Sequence, residues 1–515
     1  MKYQLKNEKY PVRETVSEST CEQPVDLDFT LPDYCPDIEK ILKCRICPFV
    51  TSKSVSGDKL NVDGGAVIRL YYLDSKKQAI RICEHTSPFS CSFKLKDQCS
   101  EPTAKVKIRT EYINCRALSP RRLDIHGAFT VCVCVYDKTY AEYCTAAEGS
   151  DIQQLDRKEN ICTLCGISGQ QFSLSEVLDI GKGKGSPESI LRSELAVSTG
   201  GCRAVEDKLM LKGEAVLRIL YVTDIETGAQ DTMTFQIPLS QVIDVPGINE
   251  TTQNEINVEV MNYDVSLKSE FDENSTLITL DAKLYAIVCA YENKEISVAD
   301  DVYSTEYETE IIRKQTNFTR LVLISDERIS LETEVNVSDK GITKIIDIWS
   351  DNISCVSVYE NNTLTVRGKI NCGIFGLDSD SVPFYAERAV EFTANPNVPA
   401  NLREVSADIT LLPELSFRIT DNSNICIKSD IAMNITLFEK HSGKTVSEVS
   451  SDEDRPRKKD SDAALILYYP DENESLWSIA KKYCTDVSTL RSENNIDSNV
   501  APSDHLNVKL LRIVS

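Results

Sequence analysis

One repeated stretch of fifteen residues constrains this chain more than anything else in it. The segment DKLNVDGGAVIRLYY at 58–72 returns as DKLMLKGEAVLRILY at 207–221, and a more divergent copy, NTLTVRGKINCGI, stands at 362–374. Seventeen residues before each copy lies an apolar pair: Ile41-Leu42, Ile190-Leu191 and Ile345-Ile346. Some 70 to 80 residues after the shared glycine (Gly64, Gly213, Gly368) an aromatic residue precedes an acid: Tyr136-Asp137, Tyr291-Glu292 and Phe438-Glu439. Three landmarks in one order, three times, predict a tandem of three similar units. Their expected limits are 1–145, 146–300 and 301–440.

Each unit reads as β. Leu60 and Val62, then Ala66, Ile68 and Leu70, alternate with largely polar neighbours, the period of a half-buried strand. Ile278, Leu280, Ala282, Leu284, Ala286 and Val288 repeat that period later in the second unit. The shared glycine interrupts the alternation, so each copy is expected to be two strands meeting at a tight corner. Short helices are expected near residues 38–43 and 188–192. The predicted fold class is mainly β, with three tandem β-sandwich-like units and a barrel as the alternative closure.

At 515 residues the chain exceeds what one core can serve. Its 80 Asp and Glu against 57 Lys and Arg leave a net charge of −23, which repels phosphate backbones and anionic lipid. Nucleic acid is therefore not expected as a partner. Without an apolar run of spanning length, membrane insertion is not expected either. The polar start, MKYQLKN, lacks the apolar stretch of a signal peptide. Nineteen cysteines, an odd number, fall partly in strand patterns such as VCVCV at 131–135. They read as reduced thiols of a cytoplasmic protein, acting as small hydrophobes.

After His441 the composition changes. Residues 450–462 (SSDEDRPRKKDSD) mix both charges and carry no large apolar side chain, which predicts a disordered linker over 441–463. Such a tether would let the end of the chain move independently of the β units.

A separate small α+β domain is expected at 464–515. LILYY at 465–469 is a strand. Ser475 is placed to cap a helix in which Leu476, Ile479, Ala480 and Tyr483 share one face. Thr485 and Asp486 are candidate caps for a second helix burying Val487 and Leu490, and Leu506-Asn507-Val508 is the returning strand. The order is βααβ. With LWSIAKKY at 476–483, Asn494-Asn495-Ile496 and Pro502, this segment resembles a LysM module, the family known for binding the N-acetylglucosamine backbone of peptidoglycan and chitin. The resemblance implies a shallow groove framed by Asn473, Glu474, Ser475 and Trp477 together with Asn495, Ile496, Pro502 and Ser503. LysM proteins usually carry Gly-Asp before the first helix and Pro-Gly in the late loop. Asn473-Glu474 and Pro502-Ser503 stand there instead, which weakens the expectation of glycan binding but not that of the fold. Trp477 has two readings, a partly buried packing residue and an exposed anchor for a partner.

No catalytic constellation assembles. The CxxC pairs Cys44/Cys47 and Cys162/Cys165 lie in different units without the turn glycines of a zinc knuckle, and Ser193 and Ile348 stand where Cys44 aligns. GKGKGS at 181–186 lacks phosphate-loop spacing, and SGDK at 56–59 matches an SxxK pattern with no partner motif. His85, His126, His441 and His505 are scattered. No enzyme, cofactor or metal site is expected.

With LPDYCPDIEKIL at 31–42, three β units, a charged linker and a LysM-like end, the whole chain resembles the SipL-type spore coat morphogenetic proteins, whose repeated domain is called SPOCS. That resemblance implies a scaffold in the mother-cell cytoplasm at the forespore surface. It also implies that the LysM module binds the sporulation ATPase of the coat's basement layer, with other coat proteins as further partners. The competing class is a peptidoglycan-binding protein of cell wall or cortex, which binding to purified peptidoglycan would distinguish.

Overall fold

The computed structural model describes residues 2–76, 79–96, 99–100, 102–181, 184–269, 276–456, 465–471, 474–497, 501–504 and 511–513. Strands dominate it. β1 (Gln4–Thr30), β2 (Ile38–Ser56), β3 (Lys59–Asp74), β4 (Ile80–Lys94), β5 (Thr103–Ser119) and β6 (Arg122–Glu148) form two antiparallel sheets, ordered β2-β3-β4 and β1-β6-β5. The next six are β7 (Ile152–Asp179), β8 (Ser189–Val205), β9 (Lys208–Asp224), β10 (Ala229–Asp244), β11 (Gln253–Ser269) and β12 (Thr276–Ser304). They pair as β8-β9-β10 and β7-β12-β11. The same order recurs in β13 (Tyr307–Asn336), β14 (Lys344–Glu360), β15 (Thr363–Leu377), β16 (Pro383–Ala394), β17 (Glu404–Ile419) and β18 (Asn424–Pro456), as β14-β15-β16 and β13-β18-β17.

In each set the two sheets face one another over an apolar core, the arrangement of a sandwich. Leu60, Val62, Ile68 and Leu70 of β3 meet Leu123, Ile125, Val131 and Val133 of β6 in the first. Leu209 and Leu217 meet Leu280 and Leu284 in the second, and Leu364 and Val366 meet Ile427 and Met433 in the third. The expected limits at 145 and 300 fall inside β6 and β12, because those strands run on to Glu148 and Ser304.

Three local expectations are corrected. The strand bearing each shared glycine does not turn a corner: β3, β9 and β15 run straight through it. A Cβ on Gly64 would lie 2.1 Å from the Phe49 carbonyl oxygen, and one on Gly213 would lie 2.3 Å from that of Ser198. The irregularity sits in the neighbouring strand, where the register shifts between Val50 and Ser52 and between Thr199 and Gly201. Glycine there admits the displaced backbone of a bulge.

The expected helices at 38–43 and 188–192 are the starts of β2 and β8. Extra residues are inserted at Leu42 and Leu191, and at Ile346 in the third set, each between two paired neighbours. A second insertion, at Glu39, breaks the period of β2 further and turns strand spacing into one that looks helical. The apolar pairs now have a reason. Ile41, Ile190 and Ile345 face their own sandwich cores, while Leu42, Leu191 and Ile346 face a shared cluster with Tyr71, Leu220, Phe375 and Trp349.

The linker expected over 441–463 is a strand as far as Pro456; residues 457–463 lie outside those described. Residues 441–456 are the far end of β18, paired with β13 from Tyr307 to Phe318. Two apolar residues in that polar stretch, Val446 and Val449, are wholly buried with Tyr3, Cys144, Ala299 and Val302. His441 stacks on Phe318 at 5.2 Å and sets Nε2 2.8 Å from Glu159 Oε2.

This cluster belongs to a second layer of organisation. The ribbons β1/β6, β7/β12 and β13/β18 extend well past their sandwiches, and their extensions pack on one another. Tyr136, Tyr291 and Phe438, the three aromatic landmarks, meet there around the Arg13 guanidinium, 4.7, 5.6 and 5.4 Å from the ring centres. Tyr3 N–H donates to Val449 O at 3.0 Å, which joins the first ribbon to the third.

Candidate functional site

The terminal segment comprises β19 (Ile466–Tyr468), α1 (Leu476–Tyr483), α2 (Val487–Glu493) and β20 (Leu511–Ile513), with β19 and β20 antiparallel. The strand expected at 506–508 lies outside the described residues. Leu476, Ile479, Ala480, Leu490, Leu511 and Ile513 form the small core. Ser475 caps α1, accepting from Ser478 N–H at 3.2 Å, while Ser478 Oγ accepts from Ser475 N–H at 3.0 Å. Asp486 caps α2 by accepting from Thr489 N–H at 2.8 Å.

The expected groove residues divide. Asn473 lies outside the described residues. Glu474 accepts from the Tyr468 hydroxyl at 2.6 Å and from Asp471 N–H at 3.1 Å; the tyrosine bond above all holds its carboxyl below the usual value. Trp477 N–H donates to Pro502 O at 2.8 Å, so the start of α1 and the late loop meet. Ser503 is exposed beside it. Asn495 and Ile496 close the other end of α2, their N–H groups directed to Ser492 O at 3.4 Å and Arg491 O at 3.1 Å.

Trp477 does not project into solvent. Its ring packs edge-on against Tyr303 of β12 at 4.8 Å, its Nε1 donates to Asp301 Oδ2 at 2.8 Å, and only 5% of the residue is exposed. Lys481, one turn further along α1, adds an ion pair to Asp301 at 2.7 Å, and Arg313 of β13 adds another at 2.6 Å. Tyr303 OH donates to Thr485 O at 2.7 Å. Burial raises the Asp301 pKa, but the bonds from Lys481 and Trp477 outweigh it and leave the carboxyl below its ordinary range. The expectation of a module moving independently is thus corrected: it is docked on the β array. Asp301, Tyr303 and Arg313 escaped the sequence reading because they lie more than 160 residues from α1. The only local signal was Trp477 and Lys481 four apart on one helix face.

Neither CxxC pair converges. Cys44 and Cys47 lie in regular β2 pairing, opposite Leu70 and Val67, and three residues along a strand point to opposite faces. Among the described residues no cluster of three potential metal ligands occurs, and no helix is long and apolar enough to cross a membrane.

The family described as SipL, SPOCS domain matches residues 37–118 and 187–268, and the LysM domain family matches residues 472–507. The chain has the SipL-type architecture. Its two SPOCS matches span β2 to β5 and β8 to β11, and its LysM match covers α1 and α2 of the docked module. No curated protein and no solved structure matches.

Proposed function

We propose that this SipL-type chain is a non-enzymatic scaffold of spore coat assembly, acting in the mother-cell cytoplasm at the forespore surface. Its LysM module binds the sporulation ATPase of the coat's basement layer, and the β array contacts other coat proteins. The block β14 to β17 serves as a third SPOCS-like repeat, supported by strand order that repeats that of the two matched blocks.

One observation favours protein over glycan at the module. The groups that would face an acetamide are already committed: Trp477 N–H to Pro502 O, Ser475 to its capping box, and Glu474 to Tyr468. A flat protein surface asks less of such a groove than a sugar that needs free backbone donors. The test is co-precipitation of the basement-layer ATPase by the full chain and by a chain ended at Asp462, beside sedimentation with purified peptidoglycan. Capture of the ATPase by the full chain alone, with no sedimentation, is the expected result. Sedimentation without capture would establish the glycan-binding reading instead.

A further inference from the structure

Eleven of the nineteen cysteines fall within β1–β6 and its connections, and four of them meet in pairs across the gap between its sheets. The orders β1-β6-β5 and β2-β3-β4 set the central strands opposite each other, which leaves β1 beside β4 at one margin and β5 beside β2 at the other. At the first margin Cys21 packs on the core that holds Cys91: Gln23, two residues after Cys21, pairs with Phe129, against which Phe89, two residues before Cys91, is packed, and Gln23 Nε2 donates to Cys21 Sγ at 3.2 Å. At the second, Cys115 packs on the core that holds Cys44, beside the place where Ile46 and Ile113 meet at Gly127. The flanking packing fixes both encounters: Phe89 meets Phe129 edge-on at 5.2 Å, and Thr110 Oγ1 donates to Ile46 O at 3.2 Å. In each pair one thiol is buried (Cys91, Cys44) and the other partly reaches the surface (Cys21, Cys115).

We propose that Cys21–Cys91 and Cys44–Cys115 are two oxidisable sites that convert to inter-sheet disulfides, one along each margin of the first sandwich. The oxidant is a small-molecule disulfide, RSSR. The surface thiolate, Cys21 or Cys115, attacks one of its sulfurs and expels RS⁻, leaving a mixed disulfide on the protein. The buried partner, Cys91 or Cys44, gives its proton to the released RS⁻ and attacks the protein sulfur of the mixed disulfide, expelling the second RS⁻, which takes up the proton lost by the first thiol. Two protein thiols become one disulfide, and RSSR becomes two RSH. The division of labour fits the environments. The neighbouring Cys44 holds the Cys115 thiol below its ordinary pKa, whereas burial pushes Cys91 up to about 12. Each disulfide would close a loop of about 70 residues, long enough to restrict the unfolded chain strongly. Cys35 and Cys83 share the same core, but both thiols are buried, and this pair is expected to lag behind the other two.

The test uses the full chain, reduced and then exposed to oxidised glutathione, with remaining thiols alkylated in denaturant and the digest mapped by mass spectrometry. Expected are Cys21–Cys91 and Cys44–Cys115 linked peptides, loss of four free thiols, and a rise in unfolding midpoint on the order of 10 °C that dithiothreitol reverses. Glutathione retained on Cys21 or Cys115 without linked peptides, linkages spread among other cysteines, or no thiol loss would each overturn the proposal. Cys44→Ser should abolish one linkage and spare the other; loss of both would refute two independent sites. The map of the unsubstituted chain decides the matter even where that variant folds poorly.

Discussion

Asp301 concentrates the docking of the terminal module in one carboxylate, which accepts from an indole and pairs with a lysine and an arginine. Trp477→Ala should leave α1 and α2 folded but release the module, read as increased amide hydrogen exchange around Tyr303. Loss of helical circular dichroism in that variant would instead make Trp477 part of the module's own core. The pH dependence has a definite sign. A carboxyl whose pKa is lowered by docking stabilises the docked state above its undocked value and loses that contribution as pH falls through the lower one. Docking should therefore persist at neutral pH and weaken only below about pH 4, where free aspartate protonates. Trp477 fluorescence in a Trp349→Phe background would follow it. Asp347 shows what burial does to a charge. It is fully buried between Arg192, at 2.6 Å, and Arg218, at 2.9 Å, joining the second set of strands to the third. Asp347→Ala leaves the buried Arg192 with only the partly exposed Glu194, at 2.7 Å, as its carboxylate and should cost about 3–5 kcal/mol in a denaturant titration.

Among the elements, the hairpins are held by conformations that few residues tolerate. Gly57 has φ +62°, Glu206 and Asp207 have +26° and +61°, and Asn361 and Asn362 have +50° and +63°, at the tips of the β2/β3, β8/β9 and β14/β15 hairpins. Such primed turns match the twist of the strands they join. The shared glycines work differently, by admitting a neighbouring carbonyl. Gly213→Ala should lower stability by roughly 1–3 kcal/mol through overpacking against Ser198, measured as a reduced denaturation midpoint. In the module, α1 depends on Leu476, which is wholly buried. Leu476→Asp would bury an unpaired carboxylate and should abolish the helical signal of the module while the β array keeps its own melting transition.

At the scale of the molecule, three sandwiches do not hang in a row. Two clusters built from one equivalent contribution per set tie them together. One holds Leu42, Leu191 and Ile346 with Tyr71, Leu220 and Phe375; the other gathers Tyr136, Tyr291 and Phe438 around Arg13. Repeat units joined in this way should unfold together. Arg13→Ala, which removes the cation from all three rings and from Glu255 at 2.8 Å, should therefore lower one common transition rather than split off the first set. Removal of residues 465–515 should leave that transition largely in place, because the array supplies its own cores.

The sequence by itself determined the threefold repetition of landmarks, the dominance of β structure and the small capped helices at the end. Each of these is written in local period, glycine placement or capping residues. It also held the apolar pairs and the aromatic–acid pairs without revealing their purpose. An inserted residue in β2 imitates helical spacing, and only the paired neighbour shows it to be a bulge. The stretch after His441 looks too polar to fold, yet Val446 and Val449 are buried by partners as distant as Tyr3. The same holds for the candidate site. Ser475 as a cap was legible within four residues, whereas the partner of Trp477 was not, because Asp301 and Tyr303 lie on β12 and meet it only through tertiary contact. Local conformational preference is carried by neighbours in the chain; burial and pairing at a distance exist only once tertiary structure has chosen who the neighbours are.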